Sequence, residues 1–175
     1  MSRAWAMPSP DTFSIQPIAD FVARWTAGRA VIVDPFARNS MIGTHRNDLD
    51  PFTSAQWHLN APDFVRVLAD MGIQADAVLF DPPYSSRQIS ECYRAAGLEV
   101  GMCETQNSSL YADTKTLLDK ILQPDGIALS FGWNSCGFGK KLNFEIEEIL
   151  LVAHGGAHND TICMVERKNA GLFSP

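Results

Sequence analysis

The chain has little that would tie it to a membrane, a metal or an oxidising compartment. Its 175 residues include only four cysteines. Cys92, Cys103, Cys136 and Cys163 show no CxxC spacing, so neither a zinc knuckle nor a redox pair is indicated and all four read as free thiols. No run approaches the roughly 18 apolar residues that a membrane helix needs. Met1 to Asp11 lacks a basic start followed by an apolar core, so no secretory signal is read there and a cytoplasmic protein is expected. Repeats and low-complexity tracts are absent to the eye. Positive charge is also in deficit, with 14 Lys and Arg against 20 Asp and Glu for a formal net charge of -6. That balance argues weakly against a nucleic-acid partner, because phosphate binding needs local Lys and Arg. Net charge is not patch charge, however: Arg38, Arg46, Arg87, Arg94, Lys140 and Lys141 all lie near the segments singled out below.

What is present suits one folded domain spanning residues 1–175. An apolar fraction of 46% with 19% charged residues supplies a core at a length typical of single domains. Ala30 to Asp34, Ala77 to Asp81 and Ile127 to Phe131 are short, nearly continuous apolar runs, as buried parallel strands are. The third follows a Pro124-Asp125-Gly126 turn. Ile18 to Thr26, Pro62 to Met71, Ser86 to Ala96 and Tyr111 to Leu122 carry apolar residues at helical spacing. Phe144 to Val152 and Thr161 to Glu166 read as an antiparallel hairpin closing one side of the sheet. The alternation predicts an α/β fold, mostly parallel, with helices on both faces.

The sharpest chemical signal is Asp81-Pro82-Pro83-Tyr84, directly after the second apolar run. Ligands of open α/β sheets bind at the carboxyl ends of strands, where this motif falls. Both prolines lack a backbone donor and fix φ, which predicts carbonyl oxygens pointing outward as acceptors. An amino group conjugated to a ring is a poor nucleophile. The Asp81 carboxylate and the Pro82 carbonyl can accept its two N–H groups and favour a more tetrahedral nitrogen. Tyr84 can stack on a base withdrawn from its helix.

Asp-Pro-Pro-Tyr after a strand resembles the catalytic motif of S-adenosylmethionine-dependent amino-methyltransferases, which act on adenine N6, cytosine N4, RNA or a protein glutamine amide. The resemblance extends over most of the chain. Phe13, Ile15 and Pro17, within Phe13-Ser14-Ile15-Gln16-Pro17-Ile18, resemble the N-terminal motif that contacts the methionine end of the cofactor. Asp34-Pro35-Phe36 resembles the first cofactor motif. Asn47-Asp48-Leu49 falls where the family places an acid on the cofactor ribose, and Asp63 where an acid meets the cofactor adenine. Ser86-Arg87-Gln88 and His158 to Thr161 narrow the likeness to small phage-type DNA N6-adenine methyltransferases. The resemblance thus implies a Rossmann-like class I methyltransferase sheet, S-adenosyl-L-methionine as cofactor and DNA as partner. RNA adenine, a protein amide and a non-catalytic module of the same fold are the alternatives. The chain departs from the family at Arg38 and Ser40, which stand where the first motif has glycines that permit close backbone approach.

Arg87, Gln88, Trp133, Asn134 and Lys140 are the substrate-side candidates, from the start of the helix after the motif and from the Gly132 to Lys141 loop. A solvated helix start and plain loop chemistry are their bland counterparts. His154 and His158 have no third ligand at metal spacing and read as a turn, so no metal is expected. Nor is there room between Asp34 and Asp81 for a separate target-recognition domain. Recognition then falls to the Ser85 to Tyr93 region, the Gly97 to Ser109 loop, the Trp133 to Lys141 loop, or the second subunit of a homodimer.

Overall fold

Apolar side chains on both faces of three short strands build the middle of the molecule. The computed structural model describes residues 1–83, 94, 107–135, 137–156 and 158–170. Tyr84, Arg87, Gln88 and, apart from Arg94, the helix expected over Ser86 to Ala96 lie outside the described residues. Among the described residues, one sheet contains β1 (Ser2–Trp5), β2 (Ile32–Asp34), β3 (His45–Arg46), β4 (Ala75–Phe80), β5 (Leu122–Gly132), β6 (Phe144–Ala153) and β7 (Thr161–Lys168). Their order is β1-β6-β7-β5-β4-β2-β3. Every pairing is parallel except those of β7, which runs antiparallel to both β5 and β6. The expected mostly parallel α/β sheet with a C-terminal antiparallel hairpin is therefore the observed fold.

Alternation along the strands sends side chains to two cores. Ile32, Ala77, Leu79, Ile127 and Leu129 pack beneath Ile18, Phe21 and Val22 of helix α1 (Gln16–Thr26). Val33, Val78, Phe80 and Ala128 face Phe64, Val65 and Leu68 of α2 (Ala61–Asp70), with Leu118 and Ile121 of α3 (Asn107–Ile121). Each fully buried side chain of this size contributes about 1.5–3 kcal/mol. The helix starts follow from local chemistry. Pro17 and Pro62 occupy first turns, where a missing N–H costs nothing. Asn60 caps α2 through a 3.0 Å bond from the Asp63 amide, and the Asp63 carboxylate accepts in return from the Asn60 side chain at 2.6 Å. Helix α1 is further fastened to β6, where Glu148 takes both terminal nitrogens of Arg24 and the Trp25 indole N–H.

Three features differ from the sequence expectation. Strand β1 had no apolar run to mark it; it adds in parallel to the edge of β6. The Pro124-Asp125-Gly126 segment does not precede β5 but interrupts it. Leu122 still pairs Ala75, the register then jumps to Ile127 opposite Ala77, and Asp125 takes a left-handed φ of 63°. Helix α3 begins at Asn107, ahead of the expected Tyr111 and inside the Gly97 to Ser109 stretch expected to be a loop.

From β5 the chain returns to the start of β6 without an intervening α-helix among the described residues. This crossing is held by Glu166 of β7, 1% exposed, which accepts the Phe138 amide at 2.6 Å and the Gly139 amide at 2.9 Å. Phe138 thereby enters the second core. A Cβ at 137 would stand 1.9 Å from the Glu166 Oε2 and 2.3 Å from the Met164 Cε, so a larger residue must push these two buried side-chain ends aside. Gly137→Ala is expected to destabilise the fold by about 1–3 kcal/mol, measured as a shift of the urea midpoint at unchanged m-value.

Candidate active site

The chain leaves β2 toward β3 on one side, then enters β4 on the other, so the sheet order reverses between β2 and β4. Such a reversal opens a crevice at the carboxyl ends of the two strands, the usual ligand position in open α/β sheets. Asp34 ends β2, and Asp81-Pro82-Pro83 follows β4 directly. The two acids, 47 positions apart in sequence, act on each other through space: the Asp81 charge helps to push the Asp34 carboxyl up. The same charge and, above all, burial push the Cys163 thiol to about 12. That cysteine carries no thiolate near neutrality and is excluded as a nucleophile.

Behind the proline pair stands an aromatic wall. Phe80 meets Phe36, Tyr111 and Phe138 edge-on at centroid distances of 5.4, 6.1 and 5.7 Å. The Lys115 ammonium lies 5.3 Å from the Phe80 ring centroid and donates to the Gly137 carbonyl at 2.7 Å. The Tyr111 hydroxyl donates to the Pro83 carbonyl at 2.5 Å. This corrects the expectation that both proline carbonyls face outward: the Pro83 oxygen is turned to helix α3, because a half-buried phenol needs an acceptor. Pro82 is buried, and Asp81 is half-buried at the edge.

Asp34 is wholly buried. Its Oδ1 accepts the Phe36 amide at 3.1 Å, and its Oδ2 has no partner. Burial, opposed by that amide and reinforced by the Asp81 and Asp48 charges, pushes its pKa up to about 8. Pro35 is buried beside it, whereas Phe36 faces the aromatic wall as part of the second core. Asn47 is 1% exposed and saturated by backbone. Its amide nitrogen donates to the Pro35 and Leu59 carbonyls at 3.1 and 2.9 Å, and its oxygen accepts the Leu59 amide at 3.0 Å. It therefore clamps the loop after β2 to the entry of α2. Asp48 beside it is raised by burial and accepts the Asp50 and Arg38 amides, with half-buried Leu49 following. Asp63 is exposed at the start of α2 and pairs with Arg66.

Arg38 occupies one of the two expected glycine positions and adopts the backbone a glycine would. Its φ is 47°, a left-handed value that costs a side-chain-bearing residue about 1–2 kcal/mol. The guanidinium donates to the Pro10 carbonyl at 2.6 Å and pairs with Asp11 at 3.3 Å. The loop after β2 is thus tied to the segment leading into Phe13. Phe13 packs edge-on against Phe131 at 5.0 Å, Ile15 is buried under α1, and Pro17 is half-buried in its first turn.

Trp133 and Asn134 follow β5 at the same carboxyl edge, Trp133 being 46% exposed. Lys140 is not brought to them. It lies in the short turn Lys140–Leu142, beside Phe144 at the start of β6, which is the opposite edge of the sheet. An open cavity of about 450 Å³ there is lined by Lys140, Glu145, Ile146 and Glu166 among others. Tyr84, Arg87 and Gln88 lie outside the described residues. Two residues that shape the site escaped the sequence reading. Tyr111 had a signal: it shares the apolar face of α3 with Leu118, and a hydroxyl there needs an acceptor. Glu166 had none, since a terminal strand acid reads as solvent-facing.

A reversal between β2 and β4, one antiparallel strand inside the sheet and acids at both crevice walls define the class as a Rossmann-like methyltransferase fold. Solved structures similar to it include TrmN from Thermus thermophilus, at 17% identity and a TM-score of 0.55 over 88% of this chain and 49% of that one. N-methyltransferase NodS from Bradyrhizobium japonicum WM9 aligns at 9% identity and a TM-score of 0.57, covering 89% of this chain and 96% of its own, and has also been solved with S-adenosyl-L-homocysteine. NSun6 from Pyrococcus horikoshii, solved with SFG, aligns at 15% identity and a TM-score of 0.56 over 86% and 51% of the two chains. The chain spans about half the length of TrmN and NSun6. At these identities the likeness is one of fold. No protein-family model and no curated protein matches the sequence.

Two outcomes follow from this geometry. Arg38→Gly is expected to be more stable than Arg38→Ala by about 1 kcal/mol in chemical denaturation, because both lose the tie to Pro10 but only alanine keeps the left-handed cost. An ordinary right-handed backbone would reverse that order. For Asp34, the folded carboxyl titrates near 8 against the usual 3.8. Between those values the unfolded chain ionises first, so this group makes stability fall as pH rises from about 4 to 8. Asp34→Asn should flatten that part of the stability–pH profile, measured by thermal unfolding across the range.

Proposed function

We propose that the chain is an S-adenosylmethionine-dependent amino-methyltransferase, with the exocyclic N6 of adenine in DNA as its acceptor. The observation that carries this reading is the Asp81-Pro82-Pro83 edge of β4, set beside the buried Asp34 at the crevice of a methyltransferase fold. The cofactor fits the residues present. Its ammonium and sulfonium are cations, and the edge offers Asp48 together with Asp34, whose Oδ2 is a buried, unpartnered hydrogen-bonding group. Arg38 keeps the glycine-like turn of the loop despite its side chain, which supports a retained cofactor path over a degenerate one. NodS, described as an N-methyltransferase, is in line with a nitrogen acceptor.

When bound, the cofactor supplies an electrophilic sulfonium methyl group. The chain's own contribution is to position the acceptor. The Asp81 carboxylate and the Pro82 carbonyl accept the two N–H groups of the target amine, localise its lone pair and take up the positive charge that develops on nitrogen. The Pro83 carbonyl, engaged by Tyr111, holds the turn in shape. Trp133 and Asn134 follow β5 at the same edge, and the sequence motif gives Tyr84 the role of stacking on the extruded ring. No metal and no covalent enzyme intermediate are required.

Incubation with methyl-labelled cofactor and DNA, RNA or protein extract, followed by identification of the modified group, tests the acceptor. Label on adenine N6 of DNA is expected; label confined to RNA or protein, or no transfer at all, overturns the assignment. Asp81→Ala should abolish turnover while leaving cofactor affinity within about threefold, since Asp81 acts on the acceptor and not the donor.

A further inference from the structure

Strands β1, β6, β5, β4 and β2 all run in one direction, so the chain that leaves β1 and enters α1 travels along the carboxyl edge of the sheet. Its path is marked by ties at three places. Beside the end of β6, the Ala6 amide donates to the Ala153 carbonyl at 3.1 Å, and the Ala6 carbonyl lies 2.9 Å from the His154 Nδ1. Near the end of β5, Phe13 meets the Phe131 ring. At the loop after β2, Arg38 donates to the Pro10 carbonyl and pairs with Asp11. In sheet order, a path from β6 to β2 passes the ends of β7, β5 and β4. The segment from Ala6 to Phe13 is therefore a strap across the edge that carries Asp81. The Asp81 charge is felt both at Asp34 of β2 and at Cys163 of β7, which puts it between the two outer ties.

His154 is 5% exposed and fully engaged. A carbonyl only accepts, so the proton is on Nδ1 and points at Ala6. Nε2 lies 2.8 Å from the Thr161 hydroxyl, and the His154 amide donates to the Asp160 Oδ1 at 3.2 Å. Both arms of the turn between β6 and β7 thus fix the ring. Its one donor takes a carbonyl beyond the last register pair of β1, at Trp5 and Ala153, where the crossing begins. Past that point burial does little to hold the strap, since Met7, Pro10 and Asp11 are exposed. Its course is set by its ends.

We infer that His154 is a positioning residue for the cofactor: with Arg38 at the far end, it clasps the strap and sets how closely residues 7–13 lie over a molecule bound in the crevice. His154 acts through the strap and not on the reacting atoms. A segment pinned at both ends has little freedom left to lose when a ligand orders it, whereas release of one end makes binding bear that cost. The inference rests on the cofactor reading above, and it gives a role to a histidine that the sequence marked only as part of a turn.

Calorimetric titration of the full chain with S-adenosylhomocysteine tests it without reference to activity. His154→Gln should weaken binding about 5- to 10-fold, the loss matched by one hydrogen bond. His154→Asn, whose amide nitrogen falls where Nδ1 was and can still reach Ala6, should stay within about twofold of wild type. Arg38→Gly, which frees the other end and keeps the turn, should weaken binding by a similar factor. The double variant His154→Gln with Arg38→Gly should lose no more than either single one, because a strap already loose has nothing further to give. Undiminished affinity in folded His154→Gln, equal losses in the Asn and Gln variants, or losses that multiply in the double variant overturn the role of His154 and leave the cofactor reading intact. A purely structural histidine would lower the melting temperature and leave the affinity of the folded protein unchanged. If the histidine variants do not fold, hydrogen exchange on the wild type decides: the amides of Met7, Ser9, Asp11 and Thr12 should gain protection with S-adenosylhomocysteine, and no gain there overturns the inference. Absence of binding by the wild type overturns the cofactor reading and this inference with it.

Discussion

Everything in this molecule is subject to one constraint: the central strands β2, β4 and β5 are covered on both faces, so polar chemistry has nowhere to go but their ends. Ile32, Leu79 and Leu129 point to one core and Val33, Val78 and Ala128 to the other. A charged side chain within those runs would lose its hydration on either side at a cost of several kcal/mol. The acids therefore come at the last position of β2 and at the first after β4, where the strands leave their cover. Even there Asp34 is fully enclosed and titrates near 8.

Much of the surrounding architecture serves to keep that edge in shape. Asn47 joins the loops on either side of β3, Tyr111 holds the Pro83 carbonyl, and Glu166 pins the crossing from β5 to β6, which brings Phe138 into the wall behind Phe80. These contacts are between segments apart in sequence, and each spends a buried or half-buried side-chain polar group on the backbone. Trp133, which follows β5 at that edge, is by contrast exposed.

The central strands and the helices over them could be read from the sequence because burial on both faces forces apolar runs, and an amphipathic helix forces three- and four-residue spacing. The reversed β7 could be read from the short turn-rich connection before it. Strand β1 could not, since Ser2, Arg3, Ala4 and Trp5 are held by backbone pairing at a sheet edge and owe nothing to alternation. At the site, Asp34 and Asp81 were visible as acids at strand ends. The outward-facing Pro83 carbonyl and the grouping of Lys140 with Trp133 were misread, because a carbonyl's partner and the path of a ten-residue loop depend on Tyr111 and Glu166, which no local pattern connects to them. Arg38 shows the same limit in reverse: the residue type changed but the backbone dihedral did not.

The edge position of β1 also bears on how the chain reaches its final form. Among the described residues its partner β6 comes after five other strands in sequence, and Arg24 of α1 bonds Glu148 of that strand, 124 residues away. Contacts so remote in order carry a large loop-closure cost before they are rewarded, so that half of the sheet adds the non-local pairings that slow folding.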